Sequence, residues 1–105
     1  MVIIETPSFT RQVNRLMSDG EYRSLQILIV RKPEIGKLIP ASGGLRKIRW
    51  RGKGVGKQKG SRIIYYWARR DQLILMLAAY RKSERTDLTR QQLMILRNAV
   101  KEEFK

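Results

Sequence analysis

The stretch Ser61–Trp67, SRIIYYW, is the one on which the fold turns. Its β-branched and aromatic residues are those of a strand. Period-2 alternation puts Arg62, Ile64 and Tyr66 on one face and Ile63, Tyr65 and Trp67 on the other. Upstream, Leu45–Trp50 (LRKIRW) alternates in the same way: Arg46, Ile48 and Trp50 share one face, and Leu45, Lys47 and Arg49 share the opposite one. Downstream, Leu73 to Tyr80 is a more continuous apolar run after the turn signal Arg70-Asp71, and predicts a buried central strand. Tyr80 and Lys82 share a face where that run gives out.

Further from these strands, helical spacing takes over. Thr6-Pro7 supplies a capping hydroxyl and a first-turn proline. Phe9, Val13, Leu16 and Met17 then form one stripe, predicting a helix over 7–17. Ser18 and Glu21 have capping-box spacing, and Tyr22, Leu25, Leu28 and Ile29 recur until Lys32-Pro33 ends the pattern. A second capping box, Thr89 to Gln92, starts an amphipathic helix carrying Leu93, Leu96, Val100 and Phe104. Val2-Ile3-Ile4 is a short first strand. The order β-α-α-β-β-β-α predicts an α+β fold over a single domain, 1–105: an antiparallel sheet with an N-terminal helical hairpin and a C-terminal helix, the helices packed on one face.

Charge limits the function. The 105 residues hold 23 Lys+Arg against 9 Asp+Glu, a net charge of +14, as expected of a chain that meets a polyanion. Residues 35–70 contain eleven bases and no acid. Cysteine and histidine are absent, which removes disulfides, thiolate metal sites and the commonest general base. No cofactor and no metal are expected. The leading apolar segment is too short for a signal peptide and no run approaches a membrane span, so a cytoplasmic protein with no membrane partner is expected.

Residues 52–60, GKGVGKQKG, join the first two of the three strands. A phosphate-binding P-loop needs glycine where Arg51 stands and Ser or Thr where Gln58 stands. The dinucleotide pattern needs a third glycine where Lys57 stands. The segment is therefore read as a basic hairpin arm, with Lys53, Lys57 and Lys59 following a phosphate backbone without reading sequence. Lys47, Arg49, Arg62 and Lys82, with Tyr66 or Tyr80 nearby, are expected on one open sheet face. Four clustered cations repel one another and suit a phosphate placed among them.

The segments GGLRKIRW (Gly43–Trp50), SRIIYYW and YRKSERTDLT (Tyr80–Thr89), in this order and spacing, resemble the RelE/HigB-type toxins of bacterial type II toxin–antitoxin modules, and most nearly the HigB-like branch. The resemblance implies a small RelE-like domain. It also implies a metal-independent, ribosome-dependent mRNA endoribonuclease that cuts message in the ribosomal A site and is held inactive by a cognate antitoxin. It places catalytic groups at Lys47, Arg49, Arg62 and Lys82. Tyr80 is a candidate positioning or acid group, and RNA contacts are expected at Arg46, Arg51, Lys53, Lys57, Lys59 and Arg81. RNA cleavage by 2′-OH attack needs a proton acceptor, a cation for the crowded phosphorane and an acid for the leaving group. Without histidine the acceptor is a lysine, Lys47 or Lys82.

The alternative is a non-enzymatic basic RNA- or ribosome-binding protein, which charge and loop fit equally well. A DNA-reading helix is disfavoured because the last helix mixes Arg90, Arg97, Lys101 and Lys105 with Glu102 and Glu103. A membrane-surface role is disfavoured because the bases lie on strands and a loop.

Overall fold

The computed structural model describes residues 1–51, 60–85 and 87–105. Among them, the first strand β1 (Val2–Glu5) leads into α1 (Pro7–Leu16) and α2 (Asp19–Arg31). A 3-10 turn over Pro33–Ile35 precedes β2 (Lys37–Leu38), β3 (Leu45–Trp50), β4 (Ser61–Ala68), β5 (Leu73–Arg81) and α3 (Arg90–Glu103).

Each helix start expected from sequence is capped as its residues dictate. The Thr6 hydroxyl accepts the Phe9 N–H at 3.2 Å. Ser18 and Glu21 close a reciprocal box, as do Thr89 and Gln92. Each box satisfies two amide donors that a helix N-terminus otherwise leaves unpaired.

The sheet order is β1-β5-β4-β3-β2. Pairings β2–β3, β3–β4 and β4–β5 are antiparallel, while β1 joins β5 in parallel. The sheet is thus mixed, not wholly antiparallel. The helical hairpin carries the chain away from β1, so a parallel edge can form without a tight turn.

The helices also divide between two faces instead of sharing one. Phe9, Val13, Leu25 and Ile29 of the hairpin pack on Ile48, Ile63, Tyr65, Ile74 and Met76. Leu93, Leu96 and Val100 of α3 pack on Leu45, Ile64, Leu75, Leu77 and Tyr80 on the opposite face. The two apolar sets of β4, Ile63/Tyr65/Trp67 and Ile64/Tyr66, each have a helical layer to meet. A strand buried on both sides is the result.

One irregularity sets the site. Tyr65 pairs with Met76 but Ile64 pairs with Ala78, so Leu77 is an extra residue in β5. Such a bulge reverses the facing of every residue beyond it. Before it Ile74 and Met76 meet the hairpin; after it Ala79 does. Tyr80 is thereby turned to the α3 side.

The hairpin side is anchored by Tyr65, fully buried. Its hydroxyl donates to the Pro33 carbonyl at 2.7 Å and accepts the Gly36 N–H at 2.8 Å. Burial pushes the phenol up, which keeps the donor proton in place. A Cβ at Gly36 would stand 2.7 Å from the Tyr65 ring. Gly36→Ala is therefore expected to lower stability by about 1–3 kcal/mol, the usual range for overpacking, read as a lower urea midpoint at unchanged slope.

Candidate functional site

Cross-strand register assembles the site. Arg49 lies directly opposite Arg62, and Arg62 directly opposite Tyr80, in one row across β3, β4 and β5. The next row runs Lys47, Ile64, Ala78. Lys47, Arg49, Arg62 and Tyr80 therefore share the α3-side face, with Tyr80 brought there by the Leu77 bulge.

Arg62 is unusual for a strand cation, being only 5% exposed. Its Nε is buried and finds no hydrogen-bond partner among the described residues, and the same holds for the Tyr80 hydroxyl. Like charges directly opposite in a sheet destabilise it, and an unsatisfied buried donor adds to that cost. The row is therefore held in place by its surroundings against its own electrostatics. An anion would relieve both strains at once.

Asp87 tempers the cluster. Its Oδ1 lies 2.6 Å from Lys47 Nζ, with the two side chains 72% and 23% exposed. The hydrogen bond from Lys47 and its charge hold the Asp87 carboxyl below its ordinary 3.8, and the charges of Arg62 and Arg49 act in the same direction. Burial, then the charge of Asp87, push the Tyr80 phenol up, while Arg62 and Arg85 oppose them. Tyr80 is therefore a protonated hydroxyl at neutral pH, a donor and not a base. Arg85 stands over its ring at 5.9 Å. Lys47, Tyr80, Asp87 and Leu88 line one cavity of about 450 Å³ that opens beside this row.

The other residues expected at the site fall in several places. Lys82 is in the turn just past β5, exposed, its N–H donating to the Gly60 carbonyl at 3.0 Å. It is at the same end of the sheet but outside the row. Tyr66, the alternative to Tyr80, lies at the far end of β4, where it packs on Phe104. Arg46 is drawn to the hairpin side: it donates to the Glu34 and Gly36 carbonyls at 3.1 and 2.8 Å and sits 6.0 Å over the Trp67 ring. Its Nη1 is thus engaged by the hairpin side, away from Arg49 and Arg62. Arg81 lines a small cavity with Gln12, Arg15 and Leu16, on the side of α1. It too is turned away from Arg49 and Arg62, because it follows Tyr80 by one strand position. Arg51 is exposed at the end of β3. Lys53, Lys57 and Lys59 lie outside the described residues.

Asp87 is the residue that sequence reasoning missed. Its partner Lys47 is 40 positions away. The available signal was its place as an acid closely following a cationic strand end. Among the described residues no group of three or more His, Cys, Asp or Glu could hold a metal ion, and no helix is long and apolar enough to cross a membrane.

No protein-family model matches the chain. Among solved structures it is similar to the E. coli toxin RelE, an arginine-to-alanine double mutant in the free state, with a TM-score of 0.55. The superposition covers 81% of this chain and 86% of that one, at 12% identity. The chain has a RelE-like fold. Identity this low carries the fold and leaves activity to be argued from the site.

Two expectations follow from the row. Arg62→Met, which replaces a buried cation with no ion pair among the described residues by an apolar side chain of similar length, is expected to raise stability by about 1 kcal/mol or more, measured by urea unfolding. An unchanged or lower stability would mean that Arg62 is satisfied in the free protein. A ¹³C titration of the Asp87 carboxyl is expected to have its midpoint below 3.8 and to move back up in Lys47→Met. The ion pair contributes above the ordinary carboxyl value and is lost as pH falls through the lowered one, so the pair is intact at neutral pH.

Proposed function

We propose that the protein is a ribosome-dependent mRNA endoribonuclease, a toxin of the HigB-like branch, acting in the cytoplasm on message in the ribosomal A site and neutralised by a cognate antitoxin. The observation that carries this reading is the buried Arg62, its Nε without a hydrogen-bond partner among the described residues, facing Arg49 and Tyr80 on a chain of net charge +14. A RelE-like fold supports it by analogy.

In this reading the scissile phosphate is held by Arg62 and Arg49, whose charges meet the extra negative charge of the phosphorane. The ribose 2′-OH attacks the adjacent phosphorus, its proton passing to a lysine, and the bond to the 5′-oxygen breaks. Tyr80, kept protonated by burial, donates to that leaving oxygen. Lys47 is engaged by Asp87, so it acts as a fixed positive charge. Lys82, with no ion pair among the described residues, takes the role of proton acceptor. The ribosome supplies the orientation, an effect worth several kcal/mol.

Primer extension on programmed ribosomes tests the reading. Cleavage is expected at the A-site codon only when ribosomes are present. Arg62→Ala is expected to slow it about 100-fold, the scale for losing one charge-stabilising group, and Lys82→Gln is expected to slow it as well. Ribosome association without any cut would favour the binding-protein reading instead. Full cleavage by Arg62→Ala would remove the assigned role of that residue.

A further inference from the structure

A second cationic feature lies at the opposite end of the same sheet face. A groove of about 660 Å³ is lined by Arg69, Arg70, Arg97 and Lys101 together with the rings of Tyr66 and Phe104, against a single acid, Asp71. It falls in the size range of small-molecule and nucleotide sites. Tyr66 alternates with Ile64 and Arg62 along β4, so groove and row face the same way. Four strand positions separate them, about 13 Å at 3.3 Å per residue.

The cations of the groove are held by neighbours that leave their charge available. The Arg69 guanidinium stands 5.1 Å over the Trp67 ring. Arg97 lies against the bare turn at Gly43, where a Cβ would come within 2.9 Å of its Nε. Gly43 has φ of 75°, so glycine is required there on backbone grounds as well. Among the described residues none of these four cations is in an ion pair. The Tyr66 and Phe104 rings sit 5.9 Å apart, tilted at 51°, with Phe104 37% exposed.

We propose that this groove is a second RNA subsite, which takes a nucleotide of a single strand away from the scissile phosphate. The base stacks on the Phe104–Tyr66 pair and the flanking phosphates meet Arg97 and Lys101. Aromatic faces set among cations are how single strands are held without reading sequence. An acidic peptide would use the cations but would leave the exposed ring face unmatched. The proposal rests on the RNA reading above but not on cleavage.

The test is fluorescence anisotropy with a labelled ten-nucleotide single-stranded RNA across a salt series. Arg97→Gln/Lys101→Gln is expected to reduce the slope of log affinity against log salt by about 1.4, since each phosphate contact on a single strand contributes about 0.7. Arg11→Gln/Arg15→Gln on α1 removes the same charge from the hairpin side and is expected to leave the slope nearly unchanged. Phe104→Ala is expected to weaken binding about five-fold or more at unchanged slope. Phe104→Leu, which keeps apolar packing on Tyr66, is expected to weaken it similarly. Equal slope changes in the two charge pairs would overturn the proposal, as would full affinity in Phe104→Leu. So would a deca-glutamate peptide that displaces the RNA and loses its own affinity in Phe104→Leu. A protein that cuts no ribosome-bound message but gives the expected pattern would keep the groove and remove the nuclease reading.

Discussion

A buried guanidinium on the central strand of the sheet governs this molecule. Arg62 stands between Arg49 and Tyr80 on neighbouring strands, and no described side chain accepts from its Nε. A strand in that state needs support from elsewhere. The hairpin face provides it: Phe9, Val13, Leu25 and Ile29 close over Ile63, Tyr65 and Met76, and Tyr65 ties the 3-10 turn beneath them through two hydrogen bonds. The hairpin face of β4 buries Ile63 and Tyr65, while its α3 face buries Ile64 and also carries the cation Arg62.

The bulge at Leu77 places Tyr80 beside that cation. In a regular ladder Tyr80 would point into the hairpin core, and its hydroxyl would be remote from Arg62. The extra residue turns it over. The protonated phenol and the cation then lie in one row, with Asp87 neutralising only Lys47. Arg49 and Arg62 stay close together with no ion pair among the described residues.

Much of this was legible before any coordinates. The helical stripes, the three caps and the alternation in LRKIRW and SRIIYYW carried the order of all elements but the 3-10 turn and the two-residue β2, the hairpin core and the common face of Lys47, Arg49 and Arg62. The rest was hidden for physical reasons. Leu73–Tyr80 is apolar on both faces, so its sequence shows no alternation and gives no sign of a phase change at Leu77. The pairing of β1 with β5 joins segments 71 positions apart, as at Val2 and Leu73, and four residues of strand carry no mark of direction. That α3 would take the opposite face from the hairpin was implied by the two apolar sets of β4, yet each set alone looks like ordinary strand alternation. The Lys47–Asp87 pair depends on where a loop folds back, which local pattern does not encode.

The central claim is that Arg62 is a buried cation awaiting a phosphate. It is tested most directly by ¹⁵N-detected NMR of the arginine Nε–H groups during titration with a short RNA made uncleavable by 2′-O-methylation. The account predicts that the Arg62 Nε–H resonance shifts and gains protection from solvent exchange as the RNA binds, with Arg49 responding alongside it. A resonance that stays in place while RNA saturates the rest of the surface would contradict the account.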